Sequence, residues 1–257
     1  MNTVTVHGHF GEYVQGRMGQ GGPLALITVP CPKTGLHAWR HPGAGNEAGP
    51  FGDFLETLDL AGSGEIVVSP FSPPGAGTGI STAQLIAAAR LHGWQGPPGR
   101  LMSACVAHEG ASDPLAFAHP EQLLWASREA AILDRMPSLP AHDIIGGYFG
   151  EACPTDPEDT SFPDVSDIAR NWKDARNLGH FGELASESAR RCLRMRGPAD
   201  DPTECLARSL GAAGFLIAHT GSARGLIFPR GEVPPEAGSA LQAAGLTGVF
   251  QFRSDDC

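Results

Sequence analysis

Apolar and polar residues alternate from position 2 to 7, where Val4 and Val6 recur at the period of two that a half-buried strand requires. Similar short runs at 24–29, 35–40 (with Leu36 and Trp39) and 65–69 predict three more strands. Helical spacing predicts helices over 81–92, over 120–135 starting near Pro120, and over 182–195, where Leu184, Glu187, Arg190, Arg191 and Arg194 mark a polar face. Another is expected from Pro202, behind a capping Asp201, to Gly211. Further on, 144–149, 215–218, 225–228 and 247–252 read as strands, and 234–244 as a helix. Strands cluster early and do not alternate regularly with helices. The pattern is α+β, without the βαβ repetition of a parallel sheet.

Composition narrows the function classes. A chain of 257 residues with 41% hydrophobic content can bury one large core or two lobes. Its net charge of −10 argues against nucleic acid, which calls for basic patches. No apolar run approaches the ~18 residues of a membrane span, and the N-terminus has no charged-then-apolar signal pattern. A cytoplasmic protein is expected. Cysteines at 31, 105, 153, 192, 205 and 257 have no zinc spacing and read as reduced thiols, mostly in the core. Arg190, Arg191, Arg194 and Arg196 are the densest basic cluster, which reads most simply as a solvated helix face. The acidic, proline-bearing stretch 154–164 is expected to be a mobile loop.

The chemistry-bearing segment is Pro70-Phe-Ser-Pro-Pro-Gly-Ala-Gly-Thr-Gly-Ile-Ser-Thr-Ala-Gln84, between a strand and a helix. Glycines 75, 77 and 79 let the backbone approach a ligand, and a helix starting at Ser81 offers free amides and a positive dipole end to an anion. A P-loop is excluded because the segment has no Lys. A dinucleotide fingerprint fits poorly: the spacing is G-x-G-x-G, and no acid stands near position 95, about 20 residues on. A glycine-rich connector with no ligand is the remaining structural alternative.

The run P-x-x-x-G-x-G-x-x-S-[ST]-A resembles the second motif of the GHMP kinases, whose usual Gly-Ser-Ser-Ala is here Gly79-Ile80-Ser81-Thr82-Ala83. Ile80 replaces the first serine, and Ser81 falls on the second. Three other segments resemble the same family in the same order. Gly11-Glu12-Tyr-Val-Gln15-Gly16 is similar to the N-terminal turn of its L-threonine kinase branch, known from cobalamin synthesis and propanediol utilisation. Some members carry a Lys before that turn, where this chain has Val6 and His7. Glu109 and Asp113 stand where the branch places its metal-binding and catalytic acids, with spacing one residue longer. The run from Leu210 through His219 and Ser222 to Phe228 is similar to the third motif.

The resemblance implies a two-lobe fold, with an N-terminal lobe like ribosomal S5 domain 2 over 1–142 and a ferredoxin-like C-terminal lobe over 143–257. It also implies phosphoryl transfer from ATP, with Mg²⁺, to a small alcohol, L-threonine first among them. Gly75, Ala76, Gly77, Thr78, Gly79, Ser81 and Thr82 would cradle phosphate. Ser81 and Glu109 would hold the metal, and Asp113 would act on the hydroxyl. Glu12, Gln15, His219 and Ser222 would face the acceptor, and a homodimer is possible. Each residue also has a plainer reading: Asp113 as a turn-former before Pro114, Glu12 as a solvated turn carboxylate, His219 as a hairpin histidine. The segment 41–64 is short where the family often contacts adenine. The alternatives are a non-catalytic binding protein on the same fold, or a kinase with another acceptor, such as homoserine or a sugar.

Overall fold

Two long strands, β1 (Thr3–Arg17) and β2 (Leu24–His41), form an antiparallel hairpin at the centre of the molecule. The computed structural model describes residues 2–41, 49–61, 64–152 and 156–256. Both strands outrun the short segments that alternation predicts, because their distal halves are covered on both faces and lose the polar phase. Leu26 and Ile27 show the two faces: Leu26 joins a cluster with Leu85, Met102 and Trp125, while Ile27 joins one with Phe10, Trp172 and Phe181.

Helix α1 (Gly52–Thr57), strand β3 (Glu65–Pro70) and helices α2 (Ile80–Leu91) and α3 (Pro98–Glu109) follow. Strand β3 pairs with β2, and the three helices supply the first of these clusters. Part of 41–64 is therefore the short helix α1; residues 42–48 and 62–63 lie outside the described residues.

The expected helix at 120–135 does not form. A 3-10 turn at Pro120–Gln122 leads into β4 (Leu123–Ala126) and β5 (Ala131–Arg135), a hairpin with Ala130 at φ 50°. Its Ala, Leu, Glu and Arg are good helix formers. Pairing of β4 with β2, however, buries all four of its residues, and Trp125 donates from Nε1 to the Ser112 carbonyl at 2.8 Å. Tertiary pairing overrides local propensity here.

The second half contains β6 (His142–Tyr148), α4 (Ser166–Asp174), α5 (Leu178–Arg196), α6 (Thr203–Ser209), β7 (Gly214–Ile217), β8 (Ala223–Pro229), α7 (Ala237–Ala243) and β9 (Thr247–Arg253). All nine described strands form one antiparallel sheet, ordered β5-β4-β2-β1-β7-β8-β6-β9, with β3 on β2 beside this path. Helix α6 starts one residue later than expected, with Pro202 at its N-cap; Asp201, just before it, accepts from the Thr203 amide at 3.0 Å. Its other oxygen meets the buried Arg224 at 2.7 Å.

The Arg cluster on α5 is paired, not free: Arg190 with Glu204, Arg191 with Asp167, Arg196 with Asp159. That last pair, and a bond from Arg17 to the Thr160 carbonyl, tie down the loop expected to be mobile. Residues 154 and 155 of it lie outside the described residues. Cys31, Cys105 and Cys192 are buried thiols, and Cys205 is an exposed one. No described helix is long and apolar enough to cross a membrane.

Candidate active site

The glycine loop is fixed from below by its carbonyls. The Ala76 oxygen accepts from the amides of Ser222 and Ala223 (3.2 and 3.0 Å), the Gly77 oxygen from Gly11 (3.3 Å), and the Thr78 oxygen from His9 (3.2 Å). In a trans peptide the C=O and the next N–H point in opposite directions. The amides of Gly77, Thr78 and Gly79 are thereby turned away from β1 and β8 and toward the cavity. Among the described residues they donate to no protein group. Gly79 then begins α2 in the left-handed region at φ 71°, with free amides in the first turn of the helix beyond it. This is an anion nest joined to a helix N-terminus.

Close contact, as much as ligand access, requires the glycines. A Cβ at Gly77 would stand 2.3 Å from the Ala218 methyl, and one at Gly79 would stand 2.6 Å from His9 Cδ2. Ile80 is buried in the core against α2's neighbours, so its side chain serves packing while its amide stays at the helix start.

At the far end of α3, Glu109 reaches back to α2. Ser81 Oγ donates to one carboxylate oxygen and Thr82 Oγ1 to the other at 2.7 Å. Burial pushes the Glu109 carboxyl up to about 7, against the pull of both hydroxyls, and the nearby Asp113 adds to the rise. These grouped oxygens suit a hard cation such as Mg²⁺. After Gly110 closes the helix at φ 80°, the chain turns so that the Asp113 amide donates to Thr82 Oγ1 at 3.3 Å.

Asp113 meets a partner that the sequence reading did not single out. Its Oδ2 lies 3.1 Å from Nε2 of His9, which is buried on β1. Burial opposes charge on this imidazole, but the Asp113 and Glu12 carboxylates and the Gly11 carbonyl outweigh it and hold the pKa at about 9. His9 is therefore a cation at neutral pH. His9, Glu12 and Asp113 place ligand atoms within 4.8 Å of one another. With the ring protonated, Nε2 donates to Asp113. No motif marked His9; only the antiparallel register and a bulge bring it opposite Asp113.

That bulge also corrects the expectation of a turn at Gly11-Glu12. The pair lies inside β1, where Gly11 at φ 71° shifts the register between His9 and Glu12. Glu12 is buried, not a solvated turn carboxylate, and its Oε2 accepts from the His219 amide at 3.2 Å with His219 Nδ1 at 3.3 Å. His219 Nε2 is 3.5 Å from Ser188 Oγ, which accepts from the Gln15 amide at 3.1 Å.

A cavity of about 490 Å³ gathers these groups. Its lining includes glycines 75, 77 and 79, Thr78, Ser81, Thr82 and Glu109, together with His9, Glu12, Gln15, Ser112, Asp113 and Ser127. His219 and Ser222 are not among its lining residues; they stand behind it, His219 against Glu12 and Ser222 against the loop.

By sequence alone, no family model and no curated protein matches this chain. Solved structures do. A mevalonate kinase aligns over 98% of both chains with a TM-score of 0.65 and 10% identity. The fold is that of the GHMP kinases. The Streptococcus pneumoniae phosphomevalonate kinase aligns over 98% of both chains at TM-score 0.64 and 12% identity. A homoserine kinase from Cytophaga hutchinsonii aligns over 98% of this chain and 94% of its own at 0.62 and 15%. At these identities the likeness concerns the fold, and chemistry must be argued from this chain's own residues.

Proposed function

We propose that this protein transfers the terminal phosphoryl group of ATP, with Mg²⁺, to the hydroxyl of a small acceptor. The observation that carries the reading is the orientation of the glycine loop, whose anchored carbonyls turn three amides into a cavity that also holds Glu109 and Asp113. The donor set fits a nucleotide's phosphates and a hard cation: backbone amides at 77–79, the start of α2, and the Ser81, Thr82 and Glu109 oxygens. ATP would supply the phosphoryl group and Mg²⁺ would offset its charge; positioning and electrostatics provide most of the catalysis in such transfers.

On the acceptor side, Asp113 holds the hydroxyl and takes its proton as the oxygen bonds to phosphorus and the bond to the ADP oxygen breaks. The buried His9 keeps the partly exposed Asp113 carboxylate oriented and ion-paired. The Thr82 hydroxyl links the two halves, donating to Glu109 while receiving the Asp113 amide. The resemblance of its motifs to threonine kinases favours L-threonine as acceptor, with Glu12 and Gln15 near the acceptor's polar end and His219 and Ser222 acting from behind. The corresponding test is release of ADP from Mg·ATP in the presence of a panel of small alcohols. A protein that binds Mg·ATP but releases no ADP with any of them is a binding protein on this fold.

A further inference from the structure

Among the residues that line the cavity there is no Lys or Arg. The chain has 18 such residues, and all of them lie in described segments. Arg128 follows the lining Ser127 in sequence, but its guanidinium is bonded to the carbonyls of Asp156 and Asp159. Among the described residues that line the cavity, the one cation is His9, whose two ring nitrogens are taken by Asp113 at 3.1 Å and the Gly11 carbonyl at 3.2 Å. An acceptor carboxylate would find no Lys or Arg to pair with here, and burying a charge without a counter-charge is costly.

Acceptor oxygens without a partner, by contrast, are present. Gln15 Oε1 and Ser112 Oγ are buried without a protein partner, and both residues line the cavity. Glu12 uses Oε2 for His219, while its Oε1 stands 3.8 Å from His9 Nδ1, beyond a hydrogen bond. Buried polar atoms are satisfied in folded proteins; the Gln15 and Glu12 oxygens can only accept, whereas the Ser112 hydroxyl can accept or donate.

From this we infer that the acceptor carries a protonated amine, received by Glu12 and Gln15, and that an amino alcohol without a carboxylate is preferred to the corresponding amino acid. This rests on the phosphoryl-transfer reading and refines its substrate class. It ranks L-threonine, the acceptor that the sequence motifs favour, below its decarboxylated counterpart.

Matched pairs test it: L-homoserine against 3-aminopropan-1-ol, and L-threonine against 1-aminopropan-2-ol, each assayed for ADP release and, separately, for binding by calorimetry with a non-hydrolysable ATP analogue and Mg²⁺. The amine without carboxylate is expected to show kcat/KM at least ~10-fold higher, and Glu12→Gln to raise its KM roughly 10- to 100-fold while the KM for Mg·ATP stays within ~3-fold. Should Glu12→Gln not fold, Gln15→Met removes the unpartnered oxygen with little change in size and should show the same split. Preference for the carboxylated member, indifference to the amine, or binding of neither overturns the inference. Glu12-dependent binding of the amine with no ADP release upholds the amine site and overturns phosphoryl transfer.

Discussion

His9 on β1 and Asp113 in the loop after α3 are 104 positions apart in sequence, yet their side chains meet at 3.1 Å in the wall of the cavity. This pair joins the central strand to the loop after α3 across the cavity lining.

Replacing Asp113 by Ala removes the group proposed to take the hydroxyl proton. A fall in kcat of about 10²–10⁴ is expected, with Mg·ATP binding retained, since removing a positioned acid–base group costs about that much. ADP release and thermal shift on the same preparation check both halves. Undiminished turnover would remove Asp113 from the mechanism.

The same pair makes stability depend on pH. The pKa of His9 is raised from 6.5 to about 9, so its contribution is fully present below about pH 6.5 and is lost as pH rises through 9. Urea unfolding at pH 6.5 and 9.5 should show wild type losing on the order of 2–3 kcal/mol more than His9→Gln over that range. Parallel curves for the two proteins would mean that His9 is not charged in the fold.

Glu109 is bonded by both hydroxyls at the start of α2. Glu109→Gln keeps the size and loses the anionic oxygens. Nucleotide should then stabilise the variant to the same extent with and without Mg²⁺, while in wild type Mg²⁺ adds several degrees to the melting temperature. A full Mg²⁺ increment in the variant would place the metal elsewhere.

Gly79→Ala should lose stability and nucleotide response together. The new Cβ would meet His9 Cδ2 at 2.6 Å from a backbone at φ 71°. Strain of this kind costs about 1–3 kcal/mol, readable in denaturant unfolding. Nucleotide protection unchanged from wild type would show that the loop amides do not carry binding.

Away from the cavity, Asp201→Asn leaves the Arg224 guanidinium, 5% exposed, without its 2.7 Å counter-charge. Breaking a buried pair from one side costs roughly 3–5 kcal/mol. The expected result is a large drop in unfolding free energy with a normal KM for Mg·ATP. A variant as stable as wild type would show that water reaches the pair.

The local chemistry of the chain determined much of this. Alternation marked the start of β1, short runs marked β3, β9 and two separate pieces of β2, helical spacing and turn residues marked α2, α5, α6 and α7, and the G-x-G-x-G run marked the loop, because each is a property of neighbouring residues. Glu12, Gln15, Glu109, Ser81, Thr82 and Asp113 were all named from motif position, and the fold brings them to one cavity. What depends on distant partners was decided only by tertiary structure. The segment 123–135 became a hairpin because β2 offered an open edge, which no local propensity records. His219 and Ser222 came to stand behind the site because the β7–β8 turn supports the loop carbonyls. His9 became a cation next to Asp113 because a one-residue bulge at Gly11 sets which face of β1 each side chain takes.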